Sequence, residues 1–142
     1  MLKKTLTTTL ISAVIGCSIS FYSNAEVVLI VHPSNDASID AKTAQRIFLG
    51  KENKFSNGKE ALPINQVPES ASRASFDTDT LGRSSTQVAA YWSKLVFTGK
   101  GIPPKEVNND AEVIAIVSGN QDAVGYVDSA SVTGAVKAIS LN

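Results

Sequence analysis

One short stretch of the sequence joins the end of a predicted strand to the start of a predicted helix: Pro68-Glu69-Ser70-Ala71-Ser72-Arg73-Ala74-Ser75-Phe76. A helix start leaves its first backbone N–H groups without intrahelical partners, and the helix macrodipole adds partial positive charge there, which suits an oxyanion. Ser70 is the predicted N-cap, Ser72 adds a hydroxyl donor, and Arg73 adds a planar guanidinium that fits phosphate or carboxylate. The stretch predicts an anion site formed by Ser70, Ser72 and Arg73.

An ordinary structural role explains the same residues. Surface helices often begin with a serine cap and carry solvated charges, so Ser70 could serve only as a cap while Arg73 faces water. The helix is predicted to run to about Leu81, with Arg73 off its apolar side. That predicted apolar side consists of Ala71, Ala74, Thr78 and Leu81. The stretch by itself leaves both interpretations open.

Residues 1–25 have the organisation of a secretory signal peptide. Two lysines precede an uncharged stretch, 5–22, and small residues end the segment at Ala25. Cleavage after Ala25 would start the mature chain at Glu26, which predicts a periplasmic protein. The residues before Cys17 also resemble the bacterial lipoprotein box, so a lipoprotein anchored through Cys17 is the alternative.

Residues 26–142 are enough for one domain. They contain no cysteine, so this domain has neither a disulfide nor thiol chemistry. The full sequence has 13 basic and 13 acidic residues, and without the two lysines of residues 1–25 the basic residues number 11, for a net charge of about −2. Since no cluster of Lys and Arg could neutralise several phosphates, we predict no nucleic-acid partner.

Hydrophobic periodicity divides residues 26–142 into an α/β domain of about four strands and four helices. The predicted strands are 26–32, 61–67, 123–127 and 135–141, and the predicted helices are 39–49, 70–81, 86–97 and 111–118. The first strand is apolar from Val27 to Val31, which predicts a central strand covered on both faces. Pro63 lacks an N–H, so the second strand should lie at an edge of the sheet or begin at the proline. Gly125 indicates the close approach of another segment of backbone.

The third predicted helix, 86–97, carries apolar residues at helical spacing that we interpret as core. They are Val88, Ala89, Trp92, Leu95 and Val96. Trp92 should make the largest single hydrophobic contribution among them, and a functional role for this residue is the less favoured interpretation.

The motifs of common enzyme classes are missing from the sequence. His32, the only histidine, precedes a proline at a strand end and is interpreted as structural. Asp77 and Asp79 are two residues apart on a helix and therefore point to different sides. The residue cluster that a metal site requires is also missing. We predict a protein that is not an enzyme and that uses no metal or cofactor.

Three segments in sequence order carry a family resemblance: Ala44-Gln45-Arg46-Ile47-Phe48-Leu49-Gly50-Lys51, then Trp92-Ser93-Lys94-Leu95-Val96-Phe97-Thr98-Gly99-Lys100-Gly101, and then Ala123-Val124-Gly125-Tyr126-Val127. Together they resemble the short phosphate ABC-transporter substrate-binding proteins of the type 2 periplasmic-binding superfamily, over nearly all of residues 26–142. The resemblance implies a single three-layer α/β lobe, like one lobe of the full phosphate receptor. It also implies a protein that binds phosphate or a similar oxyanion and works with a membrane permease or sensor.

The resemblance implies ligand contacts at the turn that corresponds to Ser70–Arg73. Full receptors carry a Gly-Ser-Gly-Thr turn there, preceded by an arginine and an aspartate, whereas this chain lacks both glycines, places its arginine after the serines and adds Glu69. Ser34 and Asn35, after the first strand, are secondary ligand candidates.

One lobe supplies half of a closing cleft. Two copies of the chain could pair as a homodimer, a partner could complete the site, or binding could be weak or lost. The alternative function is therefore an interaction or signalling module of the same fold that has lost ligand binding.

Overall fold

Five strands and four helices follow one another along residues 26–141, the part of the chain that the computed structural model describes. The strands are β1 (Val27–Val31), β2 (Leu62–Gln66), β3 (Lys105–Val107), β4 (Ala123–Asp128) and β5 (Lys137–Ile139). The helices are α1 (Ala41–Phe48), α2 (Ala71–Asp79), α3 (Ser85–Phe97) and α4 (Asp110–Gly119), and a single 3-10 turn spans Ser129–Ser131. The predicted signal peptide, its cleavage after Ala25 and the lipidation of Cys17 lie outside the described residues, as does Asn142.

All five strands belong to one mixed sheet in the order β3-β2-β4-β1-β5. β1 runs antiparallel to both of its neighbours, with Val27 opposite Asp128 and Val31 opposite Val124, while β2 runs parallel to β3 and β4. Side chains of β1 are buried on both faces of the sheet, which confirms that it is an interior strand.

The fifth strand, β3, was absent from the sequence prediction. It has only three residues, two of them charged, so it shows no apolar alternation, and it forms because β2 offers it a parallel partner along Ile64–Gln66. This pairing also corrects the expectation for Pro63, since β2 is an interior strand that begins one residue before the proline. The amide of Leu62 donates toward Asp122 on the β4 side, so the nitrogen of Pro63 faces the β3 side, where pairing has not yet begun.

Helices cover both faces of the sheet, which confirms the predicted three-layer arrangement. On one face α1 and α2 pack on alternate residues of the strands and α3 packs against α2. This core includes Leu29, Val31, Ala44, Phe48, Phe76, Val88, Trp92, Val124 and Tyr126. On the other face α4 packs through Val113 and Val117 against Val28, Ile30, Ile64, Ala123 and Val127. Among residues 26–141 no helix is both long and apolar enough to cross a lipid bilayer.

Gly125 lies where α4 crosses β4. A Cβ atom on this residue would meet Cγ1 of Val113 at 2.3 Å, whereas the nearest backbone atom, the oxygen of Ile64, would be 3.7 Å away. The close approach predicted from the sequence is real, but a helix side chain causes it rather than another backbone segment. This glycine therefore sets how closely α4 lies on the sheet.

Two helix faces differ from the sequence prediction. The buried residues of α2 are Arg73, Phe76 and Asp77, whereas Ala71, Ala74 and Thr78 are exposed. In α3 the prediction is correct for Val88 and Trp92, but Ala89 is exposed and Val96 is 51% exposed. The buried face of each helix includes one large aromatic residue, Phe76 in α2 and Trp92 in α3, and the alanines predicted for these faces lie outside them.

Candidate functional site

The start of α2 has the predicted cap. The hydroxyl of Ser70 accepts from the amide of Arg73 at 3.3 Å and donates to Oε1 of Gln66 at 2.5 Å. The first intrahelical bond runs from the amide of Ala74 to the carbonyl of Ser70, so the amides of Ala71 and Ser72 precede the hydrogen-bond ladder. These two N–H groups and the hydroxyls of Ser70 and Ser72 form the donor-rich end of the helix.

This helix start forms one wall of an open cleft of about 470 Å³. We call it the Ser72 cleft; its polar lining includes Gln66, Ser70, Ser72, Asp110, Asp128 and Ser131. The residues come from five places, namely the ends of β2 and β4, the starts of α2 and α4, and the 3-10 turn. Because β2 and β4 are parallel, their carboxyl ends meet at the same edge of the sheet, the usual position of ligand sites in α/β folds.

The carboxylate of Asp110, the first residue of α4, is held by four donors in the Ser72 cleft. Its Oδ1 accepts from Nε2 of Gln66 at 2.8 Å and from the hydroxyl of Ser72 at 2.9 Å. Its Oδ2 accepts from the hydroxyl of Ser131 at 2.8 Å and from the amide of Asp128 at 3.1 Å. The donors thus come from four separate segments and converge on one anion.

The protonation of Asp110 reflects these contacts. Burial alone would raise the pKa of Asp110, but the hydrogen bonds from Gln66, Ser131, Asp128 and Ser72 outweigh it and hold the pKa below the ordinary aspartate value of 3.8. Asp110 is therefore ionised at neutral pH. The four donors of the Ser72 cleft therefore already hold a negative charge that the chain itself supplies.

Gln66 is held in place by a layer of residues behind the cleft. Its side-chain Nε2 also donates to the backbone carbonyl of Tyr126 at 3.0 Å, and its backbone amide donates to the hydroxyl of Tyr126 at 3.2 Å. That hydroxyl in turn donates to Oδ1 of Asn65, and the ring of Tyr126 stacks on Phe76 with centroids 3.9 Å apart. Burial raises the pKa of Tyr126, which keeps the phenol a neutral donor. The rotamer of Gln66 is thereby fixed toward Asp110.

Arg73 does not line the Ser72 cleft, although the sequence placed it on the solvent side of α2. Its side chain is 2% exposed, with Nε 2.7 Å from Oδ2 of Asp77 and Nη1 2.6 Å from the carbonyl oxygen of Gln66 and 3.1 Å from Oε1 of Glu106. Burial would lower the pKa of Arg73, but the hydrogen bond and charge of Asp77 outweigh it and raise the pKa. Since Phe76 turns this side of the helix toward the sheet, Arg73 becomes an internal ion-pair partner.

Ser34 and Asn35, the secondary candidates, lie at the other end of the sheet. β1 is antiparallel to β4, so its last residue pairs with Val124 near the start of β4, far along the sheet from Asp128. Ser34 Oγ lies 2.7 Å from Nδ1 of His32, and Oδ1 of Asn35 accepts from the amide of Ala37 at 2.9 Å. The structure does not bring these two residues to Ser70 and Ser72.

Four residues of the cleft were not proposed from the sequence. Gln66, Asp110, Asp128 and Ser131 are spread over 66 positions. The sequence signals among them are that Asn109 or Asp110 could cap the predicted helix 111–118 and that Asp128-Ser129-Ala130 could cap a short helical turn. Knowing that β2 and β4 are parallel neighbours would have identified Gln66 and Asp128. Glu69, the acidic neighbour noted in the sequence, is exposed and does not line the cleft. Residues 26–141 contain no group of three or more His, Cys, Asp or Glu residues placed to hold a metal ion.

Comparison with known proteins gives a structural match without a sequence match. No protein-family model and no curated protein matches the sequence. The fold matches an ABC-type phosphate transport receptor from Vibrio cholerae with a TM-score of 0.63 and 19% identity, over 80% of this chain and 45% of that one.

Two further structures match in the same way. A putative phosphate ABC transporter substrate-binding protein with bound phosphate from Clostridium perfringens has a TM-score of 0.63 and 18% identity, over 80% of this chain and 44% of that one. PstS from Borrelia burgdorferi has a TM-score of 0.60 and 15% identity, over 82% and 47%. The chain spans less than half the length of these proteins. These matches confirm the predicted resemblance at the level of the fold, that of one α/β lobe.

Proposed function

We propose that this chain is an exported oxyanion-binding lobe of the phosphate-receptor type, with the Ser72 cleft as its ligand site. The convergence of donors carries the proposal, because the hydroxyls of Ser72 and Ser131, the side-chain amide of Gln66 and the backbone amide of Asp128 already meet on a carboxylate. Oxygen atoms of a tetrahedral anion could accept from the same donors. The fold is shared with proteins whose names describe phosphate transport or phosphate binding, which favours phosphate among oxyanions.

The start of α2 would supply the remaining contacts. The amides of Ala71 and Ser72 are available ahead of the first intrahelical bond, and the hydroxyl of Ser70 lines the same cleft. Partial positive charge at a helix start favours an anion there. Ser70 and Ser72 therefore stay in the proposed ligand site, while Arg73 takes the role of a positioning residue that fixes the carbonyl of Gln66.

Asp110 would compete with the ligand. Both of its oxygens already accept two hydrogen bonds, so the carboxylate must release its donors before an oxyanion can use them. Its negative charge also opposes an incoming anion at short distance. We therefore propose that Asp110 is an internal occupant of the site and weakens phosphate binding in the isolated lobe.

Calorimetric titration of the exported protein with phosphate tests both the Ser72 cleft as the ligand site and Asp110 as its internal occupant. Asp110→Ala should bind phosphate at least about tenfold more tightly than the wild type, a difference of about 1.4 kcal/mol, because it releases four donors and removes a like charge. Ser75→Ala, on α2 but outside the Ser72 cleft, is the matched control and should bind like the wild type. Phosphate binding that is equal in the wild type and in Asp110→Ala would contradict the role of Asp110.

A second function is favoured by the same contacts. The carboxylate of Asp110 occupies the cleft, and Arg73, the arginine of α2, forms ion pairs with Asp77 and Glu106. Both features are expected of a lobe that has lost ligand binding and become an interaction or signalling module. If neither the wild type nor Asp110→Ala binds phosphate at millimolar concentration, the oxyanion proposal fails and this second function replaces it. Both proposed functions include a periplasmic location and a membrane permease or sensor as the partner.

A further inference from the structure

We propose that the chain forms a symmetric homodimer through one apolar surface, which we call the β3 face and define by Leu62, Val96, Phe97, Ile102, Pro103 and Pro104. Phe97 is 93% and Ile102 is 90% exposed, and Val96 and Leu62 are 51% and 42% exposed. These are the large hydrophobic residues that residues 26–141 leave exposed, and all of them lie at one side of the molecule. Contiguous apolar surface of this kind is typical of an interaction site.

The β3 face has hollows as well as projecting side chains. A cleft of about 460 Å³ is lined by Trp92, Val96, Phe97 and the two prolines, and a cleft of about 530 Å³ lies beyond the prolines, next to Ile102 and Leu62. Trp92 forms part of both clefts. In a symmetric dimer each copy presents the same surface to the other. That surface must therefore contain both projecting side chains and the hollows that receive them. The β3 face meets this condition, with Phe97 and Ile102 beside the hollows that their counterparts could fill.

The charges around the β3 face favour a second copy over other partners. Lys100 and Lys105 lie on its border together with Glu52, Glu60 and Glu106. A nucleic acid or an anionic membrane would require a border that is positively charged throughout, whereas this border carries both signs. A border of mixed sign can complement itself when two copies meet about a two-fold axis.

The dimer would also cover an open edge of the sheet. β3 is the outermost strand, paired only with β2, and its three residues continue directly from the prolines of the β3 face. Edge strands present unpaired backbone groups, which natural proteins cover or keep short. Pro68, in the turn before α2, lines the 460 Å³ cleft, so the dimer interface would reach the turn beside the Ser72 cleft. The proposal does not rest on phosphate binding.

Sedimentation velocity of the exported protein from about 1 to about 100 µM tests the dimer, because a Kd near 10 µM would populate both species in that range. The double variant Phe97→Asp/Ile102→Asp should raise the Kd at least about 100-fold, since it places charges at the centre of an apolar contact. Both side chains are almost fully exposed, so the variant keeps its core, which circular dichroism verifies. Ala115→Asp, exposed on α4 across the sheet, is the matched control and should dimerise like the wild type.

Trp92 provides a second readout because it is the sole tryptophan of the chain and forms part of both clefts. Its emission should change as the concentration of wild-type protein rises, because the dimer would close both clefts beside the indole, and the double variant should lack this change. A wild type that remains monomeric at about 100 µM overturns the proposal, including when the β3 face is found to bind a different protein. Dimerisation of the double variant with the wild-type Kd overturns it as well.

Discussion

Arg73 and Asp110 lie on different sides of the start of α2 and show two ways of holding a charge. Arg73 is 2% exposed and meets two carboxylates, Asp77 and Glu106, so its cluster compensates the charge with opposite charge. Asp110 is only partly buried and meets four donors, none of which is a cationic side chain. The guanidinium is therefore locked into the fold, whereas the carboxylate occupies a cleft from which another anion could displace it.

The physical cost of removing each group follows from this difference. When one member of a buried ion pair is removed, its partner remains charged in the low-dielectric interior of the protein without an opposite charge to stabilise it. Neutral donors that lose a carboxylate in an open cleft can turn to water or to a ligand. The comparison predicts a structural role for Arg73 and a functional role for the donors around Asp110.

Arg73→Met should have the largest effect on stability. It leaves Asp77, which is fully buried, without its cation, and we expect the free energy of unfolding to fall by about 3–5 kcal/mol in chemical denaturation. Arg73→Met/Asp77→Leu removes both charges and should recover much of this loss, since Glu106 is exposed enough to be hydrated. Arg46→Ala, an exposed arginine of α1, is the matched control. A loss below about 1 kcal/mol for Arg73→Met would show that the ion pairs of Arg73 do not stabilise the fold more than the hydrogen bonds of Asp110 do.

The stability that Asp110 contributes should depend on pH in a defined direction. Its pKa in the folded protein is below the ordinary value of 3.8, so its contribution is complete above that value and is lost as the pH falls through the folded-state pKa. At about pH 6 we expect Asp110→Ala to be less stable than the wild type by about 1–2 kcal/mol, and this difference should shrink below about pH 4.

Urea denaturation of both proteins across this pH range measures the difference directly. Asp79→Ala, an exposed aspartate of α2, controls for the loss of one negative charge. If the difference between the wild type and Asp110→Ala stayed constant from about pH 6 to about pH 3, the four hydrogen bonds would not be what stabilises the carboxylate.

Ser72→Ala should have the smallest effect on stability. It removes one of four donors to Asp110 at the edge of an open cleft, so we expect a loss of about 0.5–1.5 kcal/mol. In the Asp110→Ala background the same substitution should cost almost nothing, because the acceptor is gone. A double-mutant cycle with denaturation measurements isolates this coupling, and equal costs in both backgrounds would mean that the hydroxyl of Ser72 does not stabilise Asp110.

Sequence patterns located most elements because these elements depend on local chemistry. Ser70 caps α2 as predicted, and the apolar run of β1 correctly indicated a strand buried on both faces. β3 was missed because its three residues carry no period of their own and depend on pairing with β2. The exposed position of Val96 was missed because helical spacing alone does not say how far a helix extends beyond the core on which it packs.

The candidate site was predicted only in part, for a similar reason. Ser70 and Ser72 do line a cleft, since a hydroxyl-rich helix start is a local feature. Asp110 was recognised only as a candidate helix cap beside Asn109, which is the actual cap. Its role in the cleft was missed because its donors come from Gln66, Ser72, Asp128 and Ser131, which are brought together by the sheet order.

The sequence by itself determined the α/β class, the cap of α2 and the presence of donors at the start of α2, since these follow from hydrophobic period and local hydrogen bonding. Only the tertiary structure decided the roles of the charges. Phe76 packs on Tyr126 and turns Arg73 inward to Asp77, and the parallel pairing of β2 with β4 brings Gln66 and Asp128 to Asp110. Charge energies depend on burial and on partners that are distant in sequence, and both are properties of the folded chain.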